Sequence, residues 1–191
     1  MKIEKDRVGH TNLFTSYDKI VDHYSLVALQ FNNKLVLESI RKIIPDSVNV
    51  NSIPELIEWF QTFMTWNQEP ELTELQRFNY VPTLLKTRTG RCGEWAILFT
   101  ALLNAVNFVA RIVVDFEDHV WTEVWMIRRW VHVDCTLEAP RNFDHPFIYK
   151  TDFKHKIIQI LAFSPFGIEE VTEKYRPPSM IEAHNLGASK A

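Results

Sequence analysis

Three side chains far apart in the chain could together carry out acyl transfer through sulfur. Cys92 stands in the stretch Thr87-Arg88-Thr89-Gly90-Arg91-Cys92-Gly93-Glu94-Trp95. From Trp95 onward, Leu98, Phe99, Leu102, Leu103 and Val106 follow at helical spacing, so a turn ends and a helix begins at the cysteine. Gly90 and Gly93 let the backbone bend and keep bulk from the sulfur. A first-turn cysteine meets free N–H groups and the positive end of the helix dipole, which favour the reactive thiolate. His119 and Asp134 supply the other two groups. In a cysteine–histidine–carboxylate set the imidazole takes the thiol proton, and the carboxylate orients the ring and supports its charge. Such a site attacks amides or esters through a thioester. A buried structural cysteine is the plain alternative.

The elements that must position these groups follow from periodicity. Ser16 caps a first helix with apolar positions Tyr17, Ile20, Val21, Tyr24, Val27 and Phe31; Leu35 to Ile44 forms a second, stopped by Pro45. Ser52 and Pro54 open a third, with Leu56, Ile57, Phe60, Phe63 and Met64 on one side. Gln68 to Glu74 is a polar connection, and Pro82 starts the approach to the cysteine turn. After the helix from Glu94 to about Val106 come strands at Val109–Phe116, His119–Ile127, Trp130–Cys135, Ile157–Phe163 and Ile168–Thr172. Helices first and strands afterward predict an α+β fold with an antiparallel sheet.

Strand alternation sorts the hairpin. His119, Trp121 and Glu123 share one face with Trp130, His132 and Asp134; the valines and Thr122 take the other. If the hairpin closes with Trp125 opposite Arg128, His119 lies opposite Asp134, about 5 Å away at Cβ. A slip of two residues leaves them diagonal neighbours. The pair could instead be a structural hydrogen bond. Cys92, His119, His132 and Asp134 could alternatively hold a metal such as zinc, although no close-spaced Cys or His pairs support it. Trp121 and Trp130 are either ordinary packing or rings suited to a sugar or peptide. Cys135 reads as a small buried residue and Glu94 as a favourable first-turn acid.

Composition bounds the rest. The 191 residues carry a net charge of −3, with 46% apolar and 24% charged side chains, so one globular domain over 1–191 is expected. It divides into a mainly helical region over residues 1–80, a core over 81–175 and a tail over 176–191. The tail opens Arg176-Pro177-Pro178, ends polar and is expected to be extended or disordered unless it docks. No basic face suggests nucleic acid. No apolar run nears the roughly 18 residues a membrane span needs. The charged N-terminus does not read as a secretory signal, so reduced thiols and a cytoplasmic or nuclear location are expected.

The residues then show a resemblance. Arg77-Phe78-Asn79, Gly90-Arg91-Cys92-Gly93-Glu94-Trp95, Asp118-His119-Val120-Trp121 with Glu123, and Arg129-Trp130-Val131-His132-Val133-Asp134 resemble the cytoplasmic peptide:N-glycanases of the transglutaminase-like superfamily. So do Phe143 to Tyr149, Ala162 to Gly167 and Tyr175. The resemblance implies a papain-like cysteine hydrolase core. It also implies release of N-linked glycans from misfolded glycoproteins by hydrolysis of the glycosylated asparagine amide. Cys92 would be the nucleophile, His119 the base and then acid, and Asp134 the orienting carboxylate. It further implies substrate contacts at Trp66, Trp121, Trp130, Glu123 and Glu138, and a Rad23-type shuttle protein as partner. The family's zinc module carries two Cys-x-x-Cys pairs before the nucleophile. Here Trp66 to Arg77 contains no cysteine, so no metal and no cofactor are expected. A non-catalytic adapter is the alternative function. A transglutaminase is a third reading, disfavoured by Glu117-Asp118-His119-Val120-Trp121.

Overall fold

A computed structural model describes residues 17–67 and 79–178. Helices α1 (Tyr17–Leu29), α2 (Lys34–Arg41) and α3 (Ile53–Phe63) come first, with a 3-10 turn at Gln30–Asn32 after α1. Asn33 caps α2 through bonds from Leu35 N and Val36 N, and Ser52 caps α3 by accepting from Glu55 N. The expected Ser16 cap and the Gln68–Glu74 connection lie outside the described residues. Strand β1 (Thr65–Trp66), helix α4 (Val81–Thr87) and strand β2 (Thr89–Gly90) lead to α5 (Cys92–Ala105). The segment from Pro82 is thus itself helical. Pro82 sits in its first turn, where its missing N–H costs nothing.

Five strands then form one antiparallel sheet: β3 (Ala110–Asp115), β4 (His119–Met126), β5 (Arg129–Val133), β6 (Ile160–Ser164) and β7 (Gly167–Glu170). Their order across the sheet is β5-β4-β3-β6-β7. A short helix, α6 (Ile148–Thr151), precedes β6, and a 3-10 turn at Thr172–Tyr175 follows β7. The α+β expectation with an antiparallel sheet holds.

Helix α5 is buried on every side, not along a single stripe: of its residues only Asn104 is not fully enclosed. It lies between the first helices and one face of the sheet, which join in a large apolar core. Thr100 Oγ1 and Thr122 Oγ1, 2.8 Å apart, tie it to β4. The amide of Asn104 donates to Ala110 O at 3.0 Å and ties its end to β3. The other sheet face is also covered. Val113, Trp121, Ile160 and Ala162 pack there against Ile148, Tyr149 and Tyr175. Burial on both faces makes the sheet a rigid base for groups at its edge.

The β4–β5 hairpin closes differently from expectation. Trp125 pairs with Trp130 and Met126 with Arg129, leaving Ile127 and Arg128 as a two-residue turn, both at positive φ (51° and 59°). That is the geometry whose twist matches the strands. The register has moved by two, which keeps every side chain on its assigned face. His119 and Asp134 become diagonal neighbours. The described start of the expected tail docks: Arg176 donates to Ile157 O at 3.2 Å. Residues 179–191 lie outside the described residues.

Candidate active site

Cys92 is the first residue of α5. The backbone is shaped for it by Gly90 and Glu94. The Glu94 carboxylate accepts from Arg91 N at 3.0 Å, closing the helix start. A Cβ on Gly90 would stand 2.3 Å from Glu94 Cβ, so no larger residue fits without dismantling the cap. On the other side, Thr65 N donates to Arg88 O at 2.7 Å and Asn67 N to Gly90 O at 2.9 Å. These bonds pin Trp66 beside the turn. Trp66 is 40% exposed, and its ring centre lies 6.2 Å from that of Trp95.

His119 opens β4, with its side chain 18% exposed. Its Nε2 lies 2.7 Å from Oδ2 of Asp134, whose side chain is almost fully enclosed. Cys92 lies near enough to favour the charged form of the His119 ring. With Nε2 turned to the carboxylate, Nδ1 is the ring nitrogen left for the sulfur. Burial by itself lowers the proton affinity of His119. The adjacent Asp134 charge and hydrogen bond, with smaller contributions from Cys92, outweigh it and raise the ring well above its ordinary value. Burial likewise opposes ionisation of Asp134, but His119 and further donors bring its carboxyl down to about 2. The pair therefore favours imidazolium beside carboxylate.

Asp134 is held by more than His119. Its Oδ1 accepts from Thr136 N at 3.0 Å and from Thr136 Oγ1 at 2.6 Å; its Oδ2 accepts from Tyr149 Oη at 3.0 Å. Its backbone N–H donates to Asn142 O at 2.9 Å. The loop that follows is anchored to α3 by Gln61, whose amide donates to Cys135 O at 3.0 Å and Leu137 O at 2.7 Å. Thr136, Tyr149 and Gln61 were not singled out from sequence. Tyr149 sits in a four-residue helix, too short to carry a periodic signal.

The other expected residues fall elsewhere. Trp121 is 1% exposed, beneath the second core; its Nε1 donates to Tyr175 Oη at 2.8 Å. Glu123 is fully buried. It accepts from Arg111 Nε at 2.7 Å and Tyr175 Oη at 2.6 Å, and pairs with Lys174. Burial opposes its charge, yet Lys174 and Arg111 hold its carboxyl below the usual value. Trp130 lies under the Arg111 guanidinium, 4.0 Å from ring centre. These three build the covered sheet face. Neither Trp121 nor Glu123 offers surface to a substrate. Strand alternation assigned the face correctly, but it does not reveal what covers a face. Glu138 is exposed on the loop after Asp134.

His132 is also spoken for. Its Nε2 lies 2.7 Å from Tyr149 Oη and its Nδ1 accepts from His145 N at 3.3 Å. The four-residue metal set considered from sequence does not form, and no metal-holding cluster occurs among the described residues. The interval 68–78, where the family's zinc module would fall, lies outside them.

Residues 44–135 match the transglutaminase-like superfamily. Solved chains of similar fold come from Rad4–Rad23 bound to a 6-4 photoproduct UV lesion (TM-score 0.58, 14% identity, 83% of this chain and 47% of that one) and from Rad4–Rad23 crosslinked to undamaged DNA (TM-score 0.59, 13% identity, 91% and 49%). At that identity the likeness is one of fold. Fold and match together mark a transglutaminase-like domain. The curated relatives are peptide-N(4)-(N-acetyl-beta-glucosaminyl)asparagine amidases, the peptide:N-glycanases. The Kluyveromyces lactis protein is 30% identical over 189 residues, covering 85% of this chain and 53% of that protein. The human protein is 43% identical over 101 residues, covering 52% and 15%. The chain spans about half the length, or less, of these relatives.

Proposed function

We propose that this chain is the catalytic core of a peptide:N-glycanase, an amidase that removes N-linked glycans from misfolded glycoproteins. The observation that carries the reading is the His119–Asp134 hydrogen bond, Nε2 to Oδ2 at 2.7 Å, in a site where Cys92 begins α5 and acts on the His119 ring. His119 takes the thiol proton, and Cys92 Sγ attacks the side-chain carbonyl carbon of the glycosylated asparagine. The first-turn N–H groups and dipole of α5 face the negative charge that develops there. His119 then protonates the departing nitrogen, and the glycan leaves as a glycosylamine. The remaining thioester is attacked by a water that gives its proton to His119. Cys92 is released and aspartate stands where asparagine was. Asp134 stays ionised throughout and supports the imidazolium.

Trp66, exposed beside the Cys92 turn, offers a ring face to the glycan or peptide. The steps need no metal or other cofactor. The resemblance also brings a Rad23-type shuttle protein as partner and the cytoplasm, with the nucleus, as location. Co-elution of the full chain with such a protein tests the partner. The activity is tested by incubation with a denatured N-glycoprotein beside a Cys92→Ala variant. A mobility shift lost in the variant is the expected result. No shift with the unaltered chain contradicts the reading.

A further inference from the structure

Behind Asp134 runs a second line of hydrogen bonds that the proposed chemistry does not use. We infer that Tyr149 is a positioning residue for the site, fixing the Asp134 carboxylate through its hydroxyl, and that His132 fixes that hydroxyl in turn. The inference rests on the reading of Asp134 as the orienting carboxylate. The direction of each bond is settled by the chain itself. His145 N–H points at His132 Nδ1, so that nitrogen must be an acceptor and the ring proton sits on Nε2. Burial keeps this ring neutral, with a pKa of about 4. His132 Nε2–H then donates to Tyr149 Oη at 2.7 Å. The hydroxyl has one proton, and it goes to Asp134 Oδ2 at 3.0 Å. The line is one-directional, from a backbone amide to the carboxylate.

Two features separate Tyr149 from simple packing. Its hydroxyl shares Oδ2 with His119, whereas Thr136 holds the other oxygen. It therefore competes with the imidazole for the same lone-pair density and tempers the basicity of that oxygen. A carboxylate so tempered supports an imidazolium without removing its proton. The ring itself cannot swing away. It is fully buried and stacks on Trp121 with centres 4.2 Å apart and planes at 24°.

Tyr149→Phe removes the shared donor and leaves the buried His132 N–H without a partner. The test uses the full chain with nitrogen-15 histidine, a His119→Gln variant serving to assign the His119 ring N–H. In Tyr149→Phe that proton resonance is expected to move downfield, as Oδ2 becomes the stronger acceptor. Alkylation of Cys92 by iodoacetamide is expected to change rate in the same variant. Where the unaltered chain cleaves glycoprotein, kcat is expected to fall about tenfold with KM little changed. His132→Leu should reproduce these effects. His132→Gln, which keeps a donor at the Tyr149 hydroxyl, should restore the resonance and rate. This pair keeps the test decisive should Tyr149→Phe fail to fold. A folded Tyr149→Phe or His132→Leu protein with unchanged His119 resonance and Cys92 alkylation overturns the inference. The resonance and alkylation do not depend on glycan cleavage, so loss of the amidase reading would show separately.

Discussion

Cys92 and Cys135 are both enclosed, yet their surroundings give them different chemistry. Burial pushes the Cys135 thiol up, and the neighbouring Asp134 charge adds to the rise. Cys92 instead begins α5 and favours the charged form of the His119 ring. Iodoacetamide near neutral pH should therefore modify Cys92 at least about tenfold faster than Cys135, read by peptide mapping. Equal rates would contradict an activated sulfur. The candidate site was partly legible at this scale. The Gly90–Gly93 frame marked Cys92 as lying in a helix's first turn, and strand alternation put His119 and Asp134 on one face. Trp121 and Glu123 were read onto the same face but lie beneath the residues around α6 and Tyr175. Tyr149 and Thr136 gave no periodic signal, because one sits in a four-residue helix and the other in the loop after Asp134.

At the scale of elements, α5 and the β4–β5 hairpin bring the groups together, and the hairpin turn has a visible weakness. Ile127 takes positive φ with its side chain 79% exposed, a conformation that disfavours β-branched residues. Replacing Ile127-Arg128 by Asn-Gly should raise stability by about 1 kcal/mol, measured by urea unfolding. A loss of stability would show that the two side chains make contacts worth more than the relieved strain. The same turn explains the register found. Sequence fixes which residues alternate, whereas turn type sets the pairing, and Ile-Arg carries none of the usual turn chemistry. Helices α1, α2 and α3 were legible from apolar spacing, and α3 also from its Ser52 cap. Helix α5 was read from one stripe, Trp95, Leu98, Phe99, Leu102 and Leu103, yet Ile97 and the Ala, Gly and Thr positions off that stripe are enclosed by the sheet and the helical layer as well.

For the whole molecule, His132 and His119 bound the pH range of greatest stability from opposite sides. His132 is held neutral in the fold, with a pKa of about 4 against an unfolded value near 6.5. The stability from its neutral state is present above the unfolded value and is lost as pH falls through the interval down to about 4. His119 is raised. Its contribution is full below the unfolded value and is lost as pH rises through its folded value. Chemical unfolding across pH should give a maximum near about 6.5. His132→Gln should flatten the acid side and His119→Gln the alkaline side. A flat profile through this range would contradict these ionisation states. The central claim concerns the bond that breaks, and isotope labelling reads it directly. A denatured N-glycoprotein is incubated with the protein in oxygen-18 water, and its peptides are weighed. The expected product is aspartate carrying one oxygen-18 at the former glycosylated asparagine, absent with Cys92→Ala. Glycan still attached at that asparagine, or label appearing equally with the Cys92→Ala protein, would contradict it.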